Sequence, residues 1–366
     1  MSAASLPWLW LAWVLGPGAA RSGSVLELYG TAQELWECVG REDMSALFSP
    51  AQLRRLQDKT PQEFAPVLES CQRLGVQLLC WNHPDYPQRL KYLPDAPPVL
   101  YCTGDVSALN AADSVAMIGS RRPSSYGVEA AVCLGNGLAQ EGVCLVSGLA
   151  EGLDSEAHKA AVAAGTPTVA VLGTAIDKTY PAANRRLRQQ VEQVGTVISE
   201  AGPGQATNAG SFLLRNRLIA GLSDAVCVVE AREKSGTMNT VEHARRYRRP
   251  VYAVPGAIFS PLCGGTNLLL EQGQAMAASS PQRILKDLGR EPTAPQRRTT
   301  GPSRQETGAL SPQAAAMAKV LTARPQGLEP LAAATGLNAG QALAALLELE
   351  LSGLAVSSAG GQYRSR

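Results

Sequence analysis

From residue 114 to residue 289, short apolar runs alternate with segments of helical periodicity. The runs Val169-Ala-Val-Leu172 and Val226-Cys-Val-Val229 contain no polar residue. Such runs are typical of strands that are covered on both faces, as in a parallel sheet with crossover helices. The alternation therefore predicts a doubly wound, mostly parallel α/β sheet. The predicted strands lie near 114–119, 143–147, 168–172, 196–199, 225–230 and 250–254, and the predicted helices near 127–141, 154–164, 182–194, 211–221, 238–247 and 266–272.

Glycines and small hydroxyl residues follow several of the predicted strands. They include Gly119-Ser-Arg121, Ser147-Gly148, Gly173-Thr174 and Ser235-Gly-Thr237. Ligands bind such sheets at the carboxyl ends of the strands. Glycine lets the backbone approach a ligand closely, and the start of the following helix offers unpaired N–H groups that suit a phosphate. The pattern therefore predicts an anion-binding edge of the sheet.

Basic residues cluster near the same turns, although the whole chain carries a formal net charge of only +2. Arg121 and Arg122 follow a strand-ending glycine, and Lys178 and Arg185 flank Tyr180. Such a cluster suits single-stranded nucleic acid, because the charges follow the backbone and the ring can stack on a base. The arginine pair could instead be a solvated surface pair, and Tyr180 could instead pack at the entry of a helix. The candidate nucleic-acid contacts are Gly119, Ser120, Arg121, Arg122, Ser147, Gly148, Lys178, Tyr180, Asn184, Arg185, Arg215, Asn216, Arg217, Ser235, Gly236 and Thr237.

Several acidic residues also lie near these turns. Asp154 is predicted to be a helix N-cap, and His158 follows it at a spacing that places both on one helix face. Glu200 and Glu230 each end a predicted strand, where they could bind sugar hydroxyls or order the Ser/Thr loops. A nucleophile elbow, a Gly-x-Gly-x-x-Gly fingerprint and a Gly-Lys-Ser/Thr loop are all missing from the sequence. No catalytic residue, cofactor or metal site is therefore predicted.

The spacing of the cysteines and the lack of a long apolar run favour a cytosolic protein. The eight cysteines form no Cys-x-x-Cys pair, and two of them, Cys144 and Cys227, lie within apolar runs. They are interpreted as reduced core residues, which disfavours a disulfide framework. The apolar start, residues 6–15, is interpreted as a helix and not as a signal peptide, because no basic residue precedes it and the pattern continues directly into a helical segment. No uninterrupted apolar run reaches the roughly 18 residues of a membrane span, so none is predicted.

The chain outside the central domain, 111–289, is predicted to form two smaller domains. Residues 1–75 carry short helical patterns, which indicate a small helical domain of the SAM or helix-hairpin-helix kind. Residues 76–110 are interpreted as an extended connector, and residues 290–309 as a flexible linker. Residues 310–366 show three helices and a hairpin in winged-helix order. Their predicted recognition helix is acidic and apolar, so a packing or partner-binding role stays open beside DNA contact.

These motifs together resemble the DNA-processing protein A family, DprA/Smf. The resemblance is close over about half of the chain and looser in the two end domains. The segments that carry it are Ile118–Gly127, Ser147–His158, Val171–Asn184, Ile198–Glu200, Arg215–Asp224, Val228–Thr237 and Ala253–Gly256.

The resemblance implies an extended Rossmann-like fold and a non-enzymatic protein of natural transformation. Such proteins bind and protect incoming single-stranded DNA, form homodimers and help to load the RecA recombinase. By the same resemblance, Arg121 and Lys178 are expected to be the foremost DNA contacts, followed by Arg215 and Arg217.

Two positions depart from the family pattern. Glu151 stands where the family usually has arginine, which removes a positive group from the rim of the expected site. Phe212 is followed by Leu213, where the family usually has proline. Both departures concern the path of the DNA.

A second resemblance provides the alternative function. The segment Ser235–Thr240 is similar to a loop of the lysine-decarboxylase-like phosphoribohydrolases, which act on nucleotides and share a related sheet. Those enzymes use a glutamate at the end of that loop. Thr240 occupies the corresponding position, so a carboxylate needed for acid–base work is missing.

Overall fold

A computed structural model describes residues 3–290, 310–358 and 361–365. Contacts divide the chain into two compact units, residues 1–293 and residues 294–366. Most of the predicted flexible linker, 290–309, lies outside the described residues. Within the described ranges, every helix is too short or too polar to span a bilayer.

One sheet of nine described strands forms the centre of the first unit. Its strands are β1 Gln77–Cys80, β2 Val99–Gly104, β3 Ser114–Ile118, β4 Cys144–Ser147, β5 Thr168–Val171, β6 Thr196–Ser199, β7 Ala225–Val228, β8 Val251–Ala253 and β9 Met276–Ala277. They are arranged in the order β1-β2-β6-β5-β4-β3-β7-β8-β9. Neighbours from β6 to β9 pair in parallel, whereas β2 pairs antiparallel with both β1 and β6. The predicted mostly parallel sheet is confirmed.

The helices of the first unit cover both faces of this sheet. They are α1 Leu6–Leu15, α2 Ser22–Tyr29, α3 Ala32–Cys38, α4 Pro50–Asp58, α5 Ala65–Leu74, α6 Gln88–Lys91, α7 Ser125–Gln140, α8 Leu153–Ala164, α9 Arg185–Val194, α10 Ala209–Gly221, α11 Gly236–Arg246, α12 Gly264–Glu271 and α13 Pro281–Asp287. Successive residues of β3 point to opposite faces. Val115 and Met117 pack with α7, α8 and α13, whereas Ala116 and Ile118 pack with α10, α11 and α12. The sheet is therefore doubly wound, as the apolar runs predicted.

The interpretation of residues 76–110 as an extended connector is corrected by the structure. This segment supplies strands β1 and β2 and the short helix α6, and β2 pairs with β6 from Tyr101↔Ser199 to Gly104↔Thr196. Val99 to Cys102 are all buried. The proline-rich run before β2 resembles a loop in sequence. For this reason the sequence does not predict the antiparallel strands that extend the sheet.

The front helices, α1 to α5, share a core with one edge of the sheet. Trp8 and Trp10 are buried in a cluster that also contains Tyr101 of β2 and Val197 of β6. Trp10 packs edge-on against Trp36 at a centroid distance of 5.0 Å. The predicted boundary at residue 75 therefore does not separate two cores, and the front helices belong to the first compact unit.

The second unit has the predicted winged-helix order. Its described elements are α14 Pro312–Val320, β10 Gln326–Gly327, α15 Leu328–Thr335, α16 Ala339–Leu351, β11 Ala355–Ser358 and β12 Gln362–Ser365. The predicted recognition helix corresponds to α16, which contains no lysine or arginine. Leu343, Leu347 and Leu351 are exposed on it by 48%, 55% and 82%. Because α16 offers no cation to a phosphate backbone, the structure does not support DNA contact through this helix.

Candidate nucleic-acid interface

A cleft of about 430 Å³ opens at the carboxyl ends of β3 and β7. We call it the main cleft. It lies where the order of the sheet places the predicted ligand edge, between the turn after β3 and the start of α11. The predicted contacts that line it are Gly119, Ser120, Arg121, Arg215, Asn216, Ser235, Gly236 and Thr237.

Gly119 allows three segments to meet at the floor of the cleft. A Cβ atom at this position would lie 2.4 Å from a methyl carbon of Leu153 and 2.9 Å from the carbonyl oxygen of Glu230. Ser120 N–H donates to that Glu230 carbonyl at 2.8 Å. A side chain at residue 119 would therefore displace the turn that carries Ser120 and Arg121.

Glu230 orders the loop between β3 and α7. Its carboxylate is fully buried and accepts hydrogen bonds from Ser124 N–H at 2.9 Å and from the Ser124 hydroxyl at 2.5 Å. The sequence is compatible with sugar binding or loop ordering by Glu230, and the structure shows loop ordering. The loop so held includes Arg121 and Arg122, whose side chains are exposed.

Arg121, Phe212 and Tyr180 form a row on the open side of the main cleft. The guanidinium carbon of Arg121 lies 5.9 Å from the centroid of the Phe212 ring. The Phe212 ring in turn lies edge-on to Tyr180, with 5.5 Å between the centroids. Tyr180 is 56% exposed, and Arg121 makes no ion pair within the described residues. The row thus presents an unpaired cation and an exposed ring next to each other.

Phe212 and Arg232 also line the main cleft but were not among the predicted contacts. The sequence does contain a signal that Phe212 lies at the site. It precedes Arg215 by three residues on one helix, and residues at that spacing share a face. Arg232 is exposed after β7 and carries no comparable signal.

Arg215 is buried at the back of the main cleft, with only 6% of its surface exposed. Its guanidinium donates to the carbonyl oxygen of Gly148 at 2.8 Å and also to that of Val171. A Cβ atom at Gly148 would lie 2.6 Å from the guanidinium, so only glycine leaves room for it. Burial lowers the pKa of Arg215 to about 10, and the nearby Asp154 carboxylate opposes that shift. The side chain remains a cation at neutral pH.

The predicted role of Asp154 as a helix N-cap is corrected. The N-cap of α8 is Gly152, whose φ of 76° suits glycine, and Asp154 lies within the first turn. Its carboxylate accepts a hydrogen bond from Gly148 N–H at 3.2 Å. Burial raises the pKa of Asp154, and the charge of Arg215 acts in the opposite direction. Asp154 thus holds the Gly148 turn and provides a negative charge near the buried guanidinium.

Arg217 lies outside the main cleft, contrary to the expectation that it contacts a phosphate. It is 1% exposed, forms an ion pair with Glu200 and donates to the carbonyl oxygen of Asp95 at 2.9 Å. The reason is the helical period: two residues along an α-helix turn the side chain by about 200°. Arg215 and Arg217 therefore point in different directions. The Glu200 carboxylate is engaged in its ion pair with Arg217.

The remaining predicted contacts divide into buried and exposed groups. The Ser147 hydroxyl is buried and donates to the Met117 carbonyl at 2.7 Å. The Asn184 amide donates to the Leu149 carbonyl at 2.9 Å, so it fixes the loop after β4. Lys178 and Arg185 are exposed. Ser147 and Asn184 are placed to shape the edge of the sheet, whereas the two cations are accessible to a ligand.

Comparisons with known proteins show which family the chain belongs to. The family model described as "DNA recombination-mediator protein A" matches residues 77–289, which is more than half of the chain. A second model, the "DprA winged helix domain", matches residues 301–361.

The chain belongs to the DNA recombination-mediator protein A (DprA/Smf) family.

Individual DprA/Smf proteins show the extent of the likeness. The chain is 31% identical over 328 residues to Protein Smf of Synechocystis sp., covering 82% of each. It is 32% identical to the DNA processing protein DprA of Bacillus subtilis, covering 69% of this chain and 83% of the relative. Among solved structures, DprA of Streptococcus pneumoniae is 31% identical with a TM-score of 0.64, covering 76% of this chain and 97% of that one.

One solved DprA structure concerns DNA directly. DNA processing protein A from Helicobacter pylori, described for its single-stranded DNA binding mode, is 34% identical with a TM-score of 0.53. The match covers 58% of this chain and 95% of that one.

The two departures from the DprA pattern both lie at the main cleft or its margin. Glu151 is exposed and lines a small adjoining recess together with Tyr180 and Phe212. Leu213 lines the main cleft and is 49% exposed. A carboxylate at residue 151 lowers the positive charge of the rim beside Tyr180, as the sequence indicated.

His158 is buried behind Arg215 and is neutral at physiological pH. Its Nδ1 lies 2.8 Å from the Thr168 hydroxyl, and that hydroxyl donates to the Leu145 carbonyl at 2.6 Å. Nδ1 therefore carries the proton and donates to Thr168. Nε2 is buried without a partner among the described residues. Burial, assisted by the charge of Arg215, lowers the pKa of His158 to about 3.

A pH-dependent loss of stability is expected from His158. The unfolded chain binds a proton at this histidine below about pH 6.5, whereas the folded chain does so only below about pH 3. The free energy of unfolding should therefore fall by about 4 kcal/mol between these two pH values through this group alone. Replacing His158→Asn should remove this part of the fall, measured by urea denaturation across the pH range.

The matched control is His83→Asn, because the His83 side chain is 42% exposed. This variant should keep the fall seen in the wild-type protein. An unchanged pH dependence in His158→Asn would show that the buried histidine is not held neutral.

Proposed function

We propose that the chain binds single-stranded DNA along the main cleft and breaks no bond in it. The observation that carries this proposal is the row of Arg121, Phe212 and Tyr180 beside the buried cation Arg215. An accessible cation attracts phosphates, and an exposed ring stacks on any base, so the row suits single strands without sequence preference. The exposed Lys178 lies two residues from Tyr180 and extends the positive edge. The binding mode described for the Helicobacter pylori relative supports the same ligand.

The wider role proposed here is in natural transformation. We propose that the protein protects incoming single-stranded DNA in the cytoplasm and, as a homodimer, helps to load the RecA recombinase. Membership of the DprA/Smf family supports the role in DNA processing. Ile258 and Phe259 are 81% and 91% exposed and offer apolar surface to a second copy. The cysteines are free thiols, which fits a reducing compartment.

The alternative of a nucleotide-cleaving phosphoribohydrolase is not favoured by the cleft. Thr240, which stands in place of the enzymes' glutamate, is 2% exposed. Asp154 also lines the cleft, but its carboxylate is engaged with Gly148 and faces the charge of Arg215. A general acid or base needs a carboxylate that reaches the reacting atoms. We therefore propose a binding protein with no catalytic residue, metal or cofactor.

Incubation with nucleoside monophosphates should yield no protein-dependent release of free base. Chromatography of the reaction mixture measures the base, with a heat-denatured sample of the same protein as the control. Steady release in proportion to the amount of folded protein would contradict the proposal.

Reversing two accessible charges should abolish DNA binding. In Arg121→Glu with Lys178→Glu, two phosphate contacts are replaced by repulsion. Retention of oligothymidine on a filter should be lost, while the melting curve stays unchanged because both side chains are exposed. For the wild-type protein, a cleft that neutralises about five phosphates predicts a log–log salt slope of about −3.5.

The matched control carries Arg54→Glu with Lys286→Glu, which makes the same change of charge at exposed positions outside the main cleft. Oligothymidine retention should survive in this control. Equal retention by both double variants would reject the main cleft as the binding surface.

The ring of Tyr180 should contribute by stacking. Tyr180→Leu removes the aromatic face and is expected to cost about 1–3 kcal/mol of binding free energy. Tyr180→Phe keeps that face and should bind like the wild-type protein. Fluorescence anisotropy with labelled oligothymidine measures both affinities. A similar affinity for Tyr180→Leu and Tyr180→Phe would mean that Tyr180 does not stack on a base.

A further inference from the structure

A second cleft, of about 360 Å³, lies between the front helices and the loop that follows β6. We call it the front cleft. Its walls include the rings of Trp13, Phe64 and Tyr101. Trp13 and Phe64 are only partly buried and lie with their ring centroids 5.9 Å apart. The front cleft therefore offers aromatic faces next to each other, although the function proposed above makes no use of it.

Two cations stand over these rings. Lys59 Nζ lies 5.4 Å from the centroid of the Trp13 ring and 6.0 Å from that of Phe64. The Arg55 guanidinium lies 5.9 Å from the Trp13 ring. Within the described residues, neither cation forms an ion pair with a carboxylate. The front cleft thus repeats the combination of unpaired cations and rings that the main cleft shows.

The carboxylate in the front cleft repels an anion less than an unpaired carboxylate would. Glu200 lines the cleft, but it is ion-paired with the buried Arg217. The backbone N–H of Gly18 also donates to it. Lys59 and Arg55, which both lie near the Trp13 ring, therefore provide cations beside the front cleft.

The front cleft and the main cleft belong to one edge of the sheet. The loop that carries Lys178 and Tyr180 follows β5, and the loop that lines the front cleft follows β6, its parallel neighbour. Neighbouring strands lie about 4.8 Å apart. The two loops are joined directly, because Gly204 N–H donates to the Asp177 carboxylate at 3.0 Å. A single-stranded nucleic acid that leaves the main cleft past Tyr180 therefore reaches the front cleft next.

We propose that the front cleft is a second base-binding site for the same single-stranded nucleic acid, with Trp13 as the stacking surface and Lys59 and Arg55 as phosphate contacts. An exposed ring flanked by cations is the combination that binds single strands without regard to sequence. This inference rests on the proposed function of the main cleft. It makes the front helices part of the DNA path, in addition to their packing against the sheet.

The test compares a short and a long oligothymidine on the full chain. An oligothymidine of about six nucleotides carries the roughly five phosphates assigned to the main cleft, whereas one of about sixteen nucleotides is long enough to reach both clefts. Lys59→Glu should weaken binding of the long oligothymidine at least about five-fold and reduce its salt slope by about 0.7, and it should leave the short one unchanged. Arg54→Glu, with the same change of charge on an exposed neighbour in α4, should leave both affinities near those of the wild-type protein.

A second measurement locates the base itself. A long oligothymidine that carries 5-iododeoxyuridine at successive positions is irradiated in complex with the wild-type protein. Mass spectrometry should find the cross-link on the peptide that contains Trp13. This readout does not depend on any substitution that could disturb the packing of the front helices.

The outcomes separate the two proposals. Tight binding of both oligothymidines by wild type and Lys59→Glu alike would overturn the front cleft and leave the main cleft standing. So would an equal loss for the short and the long oligothymidine in Lys59→Glu, or a Trp13 peptide free of cross-links. If wild type bound neither oligothymidine, the proposed function would fail, and the front-cleft proposal with it.

Discussion

The buried guanidinium of Arg215 is the interaction on which the geometry of the main cleft depends. It extends from α10 to the carbonyl oxygens of Gly148 and Val171, where β4 and β5 end. Taking a charge out of water costs several kcal/mol unless polar groups compensate for it. Here carbonyl dipoles and the Asp154 carboxylate provide that compensation. Because Arg215 fixes α10 to the strand ends, Phe212, one turn earlier, is held at the cleft.

The distribution of charge explains how a nearly neutral chain can offer a surface for a polyanion. Arginines that the sequence places close together have separate roles in the fold. Arg217 neutralises Glu200 in the interior, whereas Arg121 remains unpaired in a loop that Glu230 orders from below. Cations presented by loops on a rigid sheet edge need little rearrangement to meet phosphates. A formal net charge of +2 is therefore compatible with a positive edge.

The sequence was sufficient to predict the central strands because they have buried apolar centres and alternate with segments of helical periodicity. The strand predicted at 196–199 coincides with β6, and those at 114–119 and 168–172 differ from β3 and β5 by one residue. The edge strands within 76–110 were missed because proline-rich sequence obscured them. Such a strand can be identified only through the strand with which it pairs. For β2 this strand is β6, which lies almost a hundred residues away in the sequence.

The site was predictable to the extent that local pattern determines it. Glycines and cations after strands indicated the correct edge of the sheet. The sequence could not show which arginine of Arg215-Asn-Arg217 faces the cleft, because that depends on the rotation of α10 against the sheet. It also could not show that Arg121 lies over Phe212, since the two residues come from different elements. The sequence points to Asp154 as the cap because the residue that caps α8, Gly152, has no side chain that would indicate this role.

The central claim is that the carboxyl edge of the sheet, with its accessible cations and rings, holds a single strand of DNA without cleaving it. A crystal structure of the full chain with a short oligothymidine tests this claim most directly. The account predicts an intact strand with phosphates beside Arg121 and Lys178 and a base against Tyr180. A strand bound away from these residues, or a cleaved strand, would contradict it.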